Sequence, residues 1–247
     1  MGAIYDMHVH LYDYSDEEVE AIIESARGLR LVAVSDDLES AKRTVDLWER
    51  FPDRIIPCIG FHPWNVKEGK ISEYREVLML ASRVGVGCIG EVGLDRRFVD
   101  EYTWRVQNEV FDSFIRLAED LSAMVNVHSP NAWKHVAWRL FELEDARVLY
   151  HWYTGPVNLA LAIGGDRVKF SINSAIRIQE KSVKIAKHLP LDLIVVESDG
   201  PYNYRGLKLS PLLVEETVEI VARVRGETLE EVRERISANS ETILGRL

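Results

Sequence analysis

Cysteine is scarce: Cys58 and Cys88 are the only two in 247 residues, each inside an apolar run (IIPCIGF and VGVGCIGEV). Two thiols cannot build the disulfide framework of a small secreted domain, so the chain reads as one from a reducing compartment, with both side chains buried as small hydrophobes. No apolar stretch approaches the roughly 18–20 residues of a membrane span. The opening MGAIYDMHVH lacks the basic start and long apolar core of a secretory leader. These absences predict a cytoplasmic protein. Excess positive charge is missing too. Forty acidic against thirty basic residues leave a formal charge of −10, which argues against broad coating of a nucleic-acid backbone. A local basic pocket, or bound cations, can still receive a phosphate. No motif points to an obligate protein partner.

The chain does carry a regular alternation. Short β-rich apolar runs at 4–8, 31–35, 55–61, 86–91, 123–128, 148–151, 168–172 and 193–197 predict eight strands, buried on both faces. Helical segments lie between them. Val110, Phe114, Leu117 and Leu121 form one apolar stripe, and Leu213, Ile220 and Val224 form another near the end. Ser15 or Asp16 with Glu18 is placed to cap the first helix, and Ser72 the third. No linker, repeat or low-complexity tract interrupts the pattern. Eight strand–helix units in a chain of this length predict a single (β/α)8 TIM barrel, which needs about 250 residues. The expectation is one domain over 1–247, with an extra helix within 228–247 covering the barrel's side or bottom.

In such a barrel, chemistry is built at the C-terminal ends of the strands. Five of the seven histidines fall there: His8 and His10, His62, His128 and His151. The other two, His135 and His188, sit in helical segments, where a solvated or helix-end role is expected. Asp6, His8 and His10 share the face of an alternating strand. Two neutral imidazoles at that spacing can share one cation, and a carboxylate beside them can orient a ring nitrogen. Glu91 ends a dense apolar strand, where a free carboxylate would be costly. Its two oxygens can bridge two cations, with His128 and His151 completing the second site. Asp199 follows the last strand, back beside the first, where it can touch the first cation and accept a proton from water. This donor set predicts a two-metal hydrolase.

These stretches resemble the TatD family of metal-dependent hydrolases, within the amidohydrolase superfamily. The resemblance rests on DMHVHL at 6–11, GFHPW at 60–64, IGEVGLD at 89–95, Gln107 to Phe111, Val127-His128, HWYTG at 151–155, VESDGPY at 196–202 and the closing Ala238-Asn239. It runs through the whole chain in family order. It implies metal ligands at His8, His10, Glu91, His128, His151 and Asp199, with Glu91 bridging two divalent ions and Asp199 also the catalytic acid–base group. It places His62 near a substrate phosphate. It implies phosphodiester hydrolysis, of the DNase and 3′-to-5′ exonuclease kind, with DNA or another phosphoester at the barrel mouth. The nitrogen-rich ligand set suits zinc or manganese better than magnesium.

Departures from the family pattern gather around the substrate. A pattern like H-x-R-x-A becomes His128-Ser129-Pro130-Asn131-Ala132, with proline where a basic residue is common. A pattern like R-G-K-x-N-x-P becomes Arg205-Gly206-Leu207-Lys208-Leu209-Ser210-Pro211, without the asparagine. Trp152 follows His151 where a small residue is usual. Replacement contacts for an anionic substrate are available in Arg96 and Arg97, after the Glu91 motif, and in Arg205 and Lys208. Trp64, Trp152, Tyr153 and Tyr202 lie in the same loops, placed to stack a base or to cover any organic substrate. The alternative is another hydrolase on this scaffold, acting on a lactone, ester, amide or phosphomonoester. The phosphotriesterase and lactonase branch opens with the same H-x-H but bridges its metals with a carboxylated lysine, where this chain has Glu91. A phosphoesterase of the PHP type expects a histidine where Asp37 stands. A metal-binding barrel without turnover is disfavoured, since all six candidate ligands are kept.

Overall fold

Eight parallel strands form one sheet in which each strand pairs with its sequence neighbour: β1 (Ile4–Val9), β2 (Leu29–Val34), β3 (Ile55–Cys58), β4 (Cys88–Gly93), β5 (Met124–His128), β6 (Arg147–Tyr150), β7 (Val168–Asn173) and β8 (Ile194–Glu197). This computed structural model describes residues 3–67, 70–97, 99–141, 143 and 146–245. Helices run between the strands: α1 (Asp16–Ser25), α2 (Leu38–Arg50), α3 (Trp64–Lys67), α4 (Tyr74–Val84), α5 (Glu101–Asp120), α6 (Trp133–Leu140), α7 (Val157–Ile163), α8 (Glu180–His188) and α9 (Val214–Arg225), followed by α10 (Leu229–Leu244). The seam between β8 and β1 is tied beyond the strand ends: Asp199 N donates to His8 O and His10 N to Gly200 O, both at 2.9 Å. The architecture is the expected (β/α)8 barrel. Among the described residues, no helix is long and apolar enough to cross a membrane.

Local chemistry explains most boundaries. Ser15 starts α1 with a capping box, its hydroxyl accepting from Glu18 N while the Glu18 carboxylate accepts from Ser15 N, which satisfies two of the helix's orphan donors. Ser72 does not cap the helix: it lies inside a 3-10 turn leading into α4, whose N-terminal flank is Glu73. The stripe in α5 faces the core, with Val110 and Phe114 buried and Leu117 and Leu121 packed at its edge. The stripe near the end is corrected by one position. The buried face of α9 is Val214, Thr217, Val218 and Val221, because Leu213 belongs to the preceding turn and the helix begins one residue later. A short hairpin, β9 (Asn203–Tyr204) and β10 (Leu207–Lys208), follows β8. Its central residues Arg205 and Gly206 both have positive φ, as two-residue hairpins require.

Two apolar layers result. One lies between the sheet and the helices. The other fills the barrel with residues such as Tyr5, Val32, Ile56, Met124 and Val195, and is closed from below by Ile243 and Leu244 of α10. Asn239 fixes that helix by donating to Leu191 O and Ile194 O at 2.7 and 2.8 Å, so the extra helix is a floor. Inside the barrel both cysteines are buried as expected, but their pairing was not foreseen. Cys58 and Cys88 are register partners on adjacent strands, 4.4 Å apart at Cα, and are joined in a disulfide. They are not two separate thiols. The inference of a reducing compartment, which rested on unpaired thiols, loses its support.

Candidate active site

At the C-terminal mouth, Glu91 stands in the middle of an imidazole cluster, 2% exposed, and its two oxygens face different partners. Oε2 lies 3.4 Å from His8 Nε2 and 3.7 Å from His10 Nε2. Oε1 lies 2.6 Å from His128 Nδ1 and 2.9 Å from His151 Nε2. His62, beyond β3, approaches the same Oε1 at 3.6 Å and His128 Nδ1 at 3.3 Å. Asp199, past β8, is 3.0 Å from His10 Nε2 and 3.4 Å from His8 Nε2 through Oδ1. All six residues expected to ligate, and His62 with them, converge. His135 and His188 stay on helix surfaces.

The backbone must come very close for this to happen. Gly93, at φ +151°, passes β5 so tightly that a Cβ would sit 2.0 Å from His128 O. Only glycine fits there, and the approach sets His128 against Glu91. Strict alternation along β1 does not hold. Met7 belongs to the barrel interior, and the pairing with β2 slips between Asp6 and Val9. Asp6 therefore turns from the His8 and His10 rings and accepts from Ser198 N at 2.8 Å, Ser198 Oγ at 2.5 Å and the backbone N of His8 at 3.3 Å. It ties the seam and orients no ring.

Other groups orient the rings. Asn126 Nδ2 donates to Met7 O at 2.9 Å, which turns its Oδ1 toward His8 Nδ1, also at 2.9 Å. His8 then carries its proton on Nδ1 and aims the Nε2 lone pair at the cluster. Asp95 Oδ2 lies 3.0 Å from His128 Nε2, leaving Nδ1 bare toward Glu91. Glu197 Oε1 is 3.4 Å from His151 Nδ1, and Tyr12 Oη is 3.1 Å from His10 Nδ1. Sequence reasoning missed these partners. Asn126 was within reach of the alternation rule, two residues before His128 on the same strand, and Asp95 closes the IGEVGLD run.

The electrostatics follow from crowding. Burial pushes Glu91 up, but His151, His62, His8 and His128 overcome this and hold it well below the usual carboxylate range. Asp199 is also lowered, against burial, by His10, His8 and His151. Burial lowers His10, but Asp36, Asp199 and Glu91 outweigh it and push it up to about 10. His151 is raised well above its usual range, against burial, by Glu91 and Glu197. Both Glu91 and Asp199 are thus ionised at neutral pH.

Above the cluster opens a cavity of about 640 Å³. Of the residues expected to meet substrate, His62, Trp64 and Arg97 line it, while Arg96, Arg205 and Lys208 do not. Arg96 turns outward over the Trp104 ring, 4.8 Å from its centroid. Arg205 lies against Tyr204, and Lys208 sits exposed on β10. Adjacent residues on one loop leave in opposite directions, so closeness in sequence to a ligand did not guarantee a place at the mouth. Tyr153 is buried and donates to Pro156 O. Trp152 and Tyr202 do line the cavity, as do the unforeseen Gln179 and Tyr204.

The family model for TatD related DNase matches residues 5–245. The chain belongs to this TatD family of metal-dependent hydrolases. Deoxyribonuclease TATDN3 of Homo sapiens is 29% identical over 270 residues, covering 99% of this chain and 95% of that protein. An uncharacterized metal-dependent hydrolase of Methanocaldococcus jannaschii is 27% identical over 243 residues, covering 95% and 94%. The solved structure of YJJV, a TatD homolog from Escherichia coli K12, superposes with a TM-score of 0.82 at 21% identity over 97% of both chains, a likeness of fold. Against the TatD pattern, the departures seen in sequence fall at the mouth. Pro130 and Trp152 line the cavity, and Leu209, at the position of the missing asparagine, is fully buried.

Proposed function

We propose that the chain is a two-metal phosphodiesterase of the TatD type, acting on DNA ends at the barrel mouth. The observation that carries this is the division of Glu91: one oxygen faces His8 and His10, the other His128 and His151. The donor chemistry fits cations. His8 Nε2 and His10 Nε2 face each other at 3.2 Å, and the bare Nδ1 of His128 faces a carboxylate oxygen at 2.6 Å. Approaches this short need a proton or a cation between the facing lone pairs, and a divalent ion can take the place of the ring protons at both. His8, His10, Glu91 Oε2 and Asp199 would hold one ion, and Glu91 Oε1, His128 and His151 the other. Zinc or manganese suits so many nitrogens.

Divalent ions in these positions supply Lewis acidity and lower the pKa of water to near neutrality. The residues do the rest. Asp199, ionised and at the lip, accepts the proton that the attacking water gives up. Asn126 and Asp95 keep the His8 and His128 rings in one orientation. Arg97 reaches the cavity from Asp95, its NH2 group 2.6 Å from Oδ2, and places positive charge for the phosphate. His62 stands beside it.

The test uses metal-stripped protein resupplied in turn with zinc, manganese and magnesium, and a 5′-labelled single-stranded oligonucleotide. A ladder shortening from the 3′ end, dependent on metal and lost in Asp199→Asn, is the expected result. Circular dichroism should change little on stripping, because the core does not depend on the site. No cleavage with two ions bound per chain would overturn the phosphodiester reading in favour of a small ester, lactone or phosphate.

A further inference from the structure

The residue after His151 is held by more bonds than a loop tryptophan needs for packing alone. Trp152 has φ +37°, left-handed backbone that is unfavourable for a bulky side chain. Two acceptors hold its N–H there: Ser171 Oγ and Glu197 Oε1, each at 2.9 Å. A third bond fixes the ring, with Trp152 Nε1 donating to Gln179 Oε1 at 2.9 Å. Gln179 is itself committed, donating through Nε2 to Tyr204 Oη at 2.9 Å.

The indole is thereby set at the cavity wall next to the cluster. Tyr202 and Tyr204 meet it edge-on, at interplanar angles of 76° and 69° and centroid distances of 6.0 and 5.2 Å. Neither tyrosine lies flat on the indole. Backbone links tie this wall to the reacting centre, since Trp152 adjoins His151 and Tyr202 N donates to Asp199 O at 3.1 Å. The other lining indole differs: Trp64 donates to Asp95 at 2.7 Å and is covered by Arg97. Trp64 is thus engaged by a carboxylate and a guanidinium, whereas Trp152 is engaged by an amide and the edges of two tyrosines.

We propose that Trp152, braced by Gln179 and flanked by Tyr202 and Tyr204, is a specificity wall that stacks a flat ring, so that phosphodiesters with a nucleobase beside the scissile group are selected over equally charged diesters without one. This deepens the phosphodiester reading and rests on it. A rigid indole is the right device, because stacking on a fixed ring loses little side-chain entropy, and every base offers a π-face.

The experiment compares two dinucleotides of equal charge, one with thymine at the residue beside the cleaved bond and one with a tetrahydrofuran residue in its place. The wild-type protein should favour the thymine substrate in kcat/KM by about 5- to 150-fold, the range of one base–aromatic stack. Trp152→Ala should collapse that ratio toward unity, while Trp152→Phe should keep most of it, which guards against a folding defect in the alanine variant. Equal rates on both substrates in the wild type, or an undiminished ratio in Trp152→Ala, would overturn the wall. A binding measurement separates it from the parent reading. In metal-loaded protein, thymidine 5′-monophosphate should quench indole fluorescence through Trp152, and deoxyribose 5-phosphate should not. Quenching without cleavage of either dinucleotide keeps Trp152 as a flat-ring wall but overturns its selection among phosphodiesters, together with the phosphodiester reading. Neither quenching nor cleavage sinks both.

Discussion

On the same strands where Tyr5, Cys88 and Met124 pack into the layer that Ile243 and Leu244 close at the floor, His8, Glu91 and His128 crowd the mouth a few residues later. At the floor, apolar side chains from consecutive strands meet and gain by leaving water. At the mouth, carboxylates and imidazoles are buried side by side at 2.6–3.7 Å, an arrangement whose burial is costly and is offset only by the pairing of opposite charges. The comparison teaches that the barrel separates stability from chemistry along the strand axis. Stability gathered below makes it possible to hold strained and charged groups above, such as Asp199 and Trp152 with their left-handed backbones.

Substitutions at the two ends should therefore give opposite phenotypes. The largest effect is expected at the mouth: Asp199→Asn should slow hydrolysis by about a hundred- to ten-thousand-fold, the usual worth of general acid–base catalysis, with cooperative unfolding retained. A floor substitution, Ile243→Ala, should cost about 2–5 kcal/mol in denaturant titration while the folded fraction keeps its kcat. A matched loss of rate in that variant would break the separation. Smaller in scale, Asp95→Asn should weaken metal binding by about 10- to 100-fold, as for other groups that orient a ligating histidine. Titration with cobalt, followed by its visible spectrum, reads this without any turnover. The smallest effect should distinguish two neighbours on one loop. Arg97→Ala should raise KM by about threefold to tenfold with little change in kcat, as loss of uniform binding does, whereas Arg96→Ala should leave both constants alone.

Much of the mouth was legible from the chain because strand ends are readable. An apolar run that stops at His or Glu marks a position at the rim, and the eight-unit count places the rims together. Glu91, His128 and His151 were found that way. What stayed hidden were groups whose roles depend on what lies across the barrel. Asn126 faces His8, 118 residues away in sequence, and Glu197 reaches Trp152 across 45. Asp6 shows the opposite failure, where the expected alternation gave a wrong role because β1 slips in register.

By itself, the order of apolar runs and helices determined that this chain closes into one barrel, since each run can be covered only by its neighbours and an intervening helix. It also determined which residue types end those runs, and so the chemistry on offer. Tertiary structure alone decided which face each group serves. It joined Cys58 to Cys88 across adjacent strands, turned Arg96 out and Arg97 in, shifted the buried face of α9 by one residue, and set Trp152 on the cavity wall. The physical reason is the same in each case. These outcomes turn on distances of an ångström or two between segments far apart in the chain, and such distances are fixed by packing that no local pattern encodes.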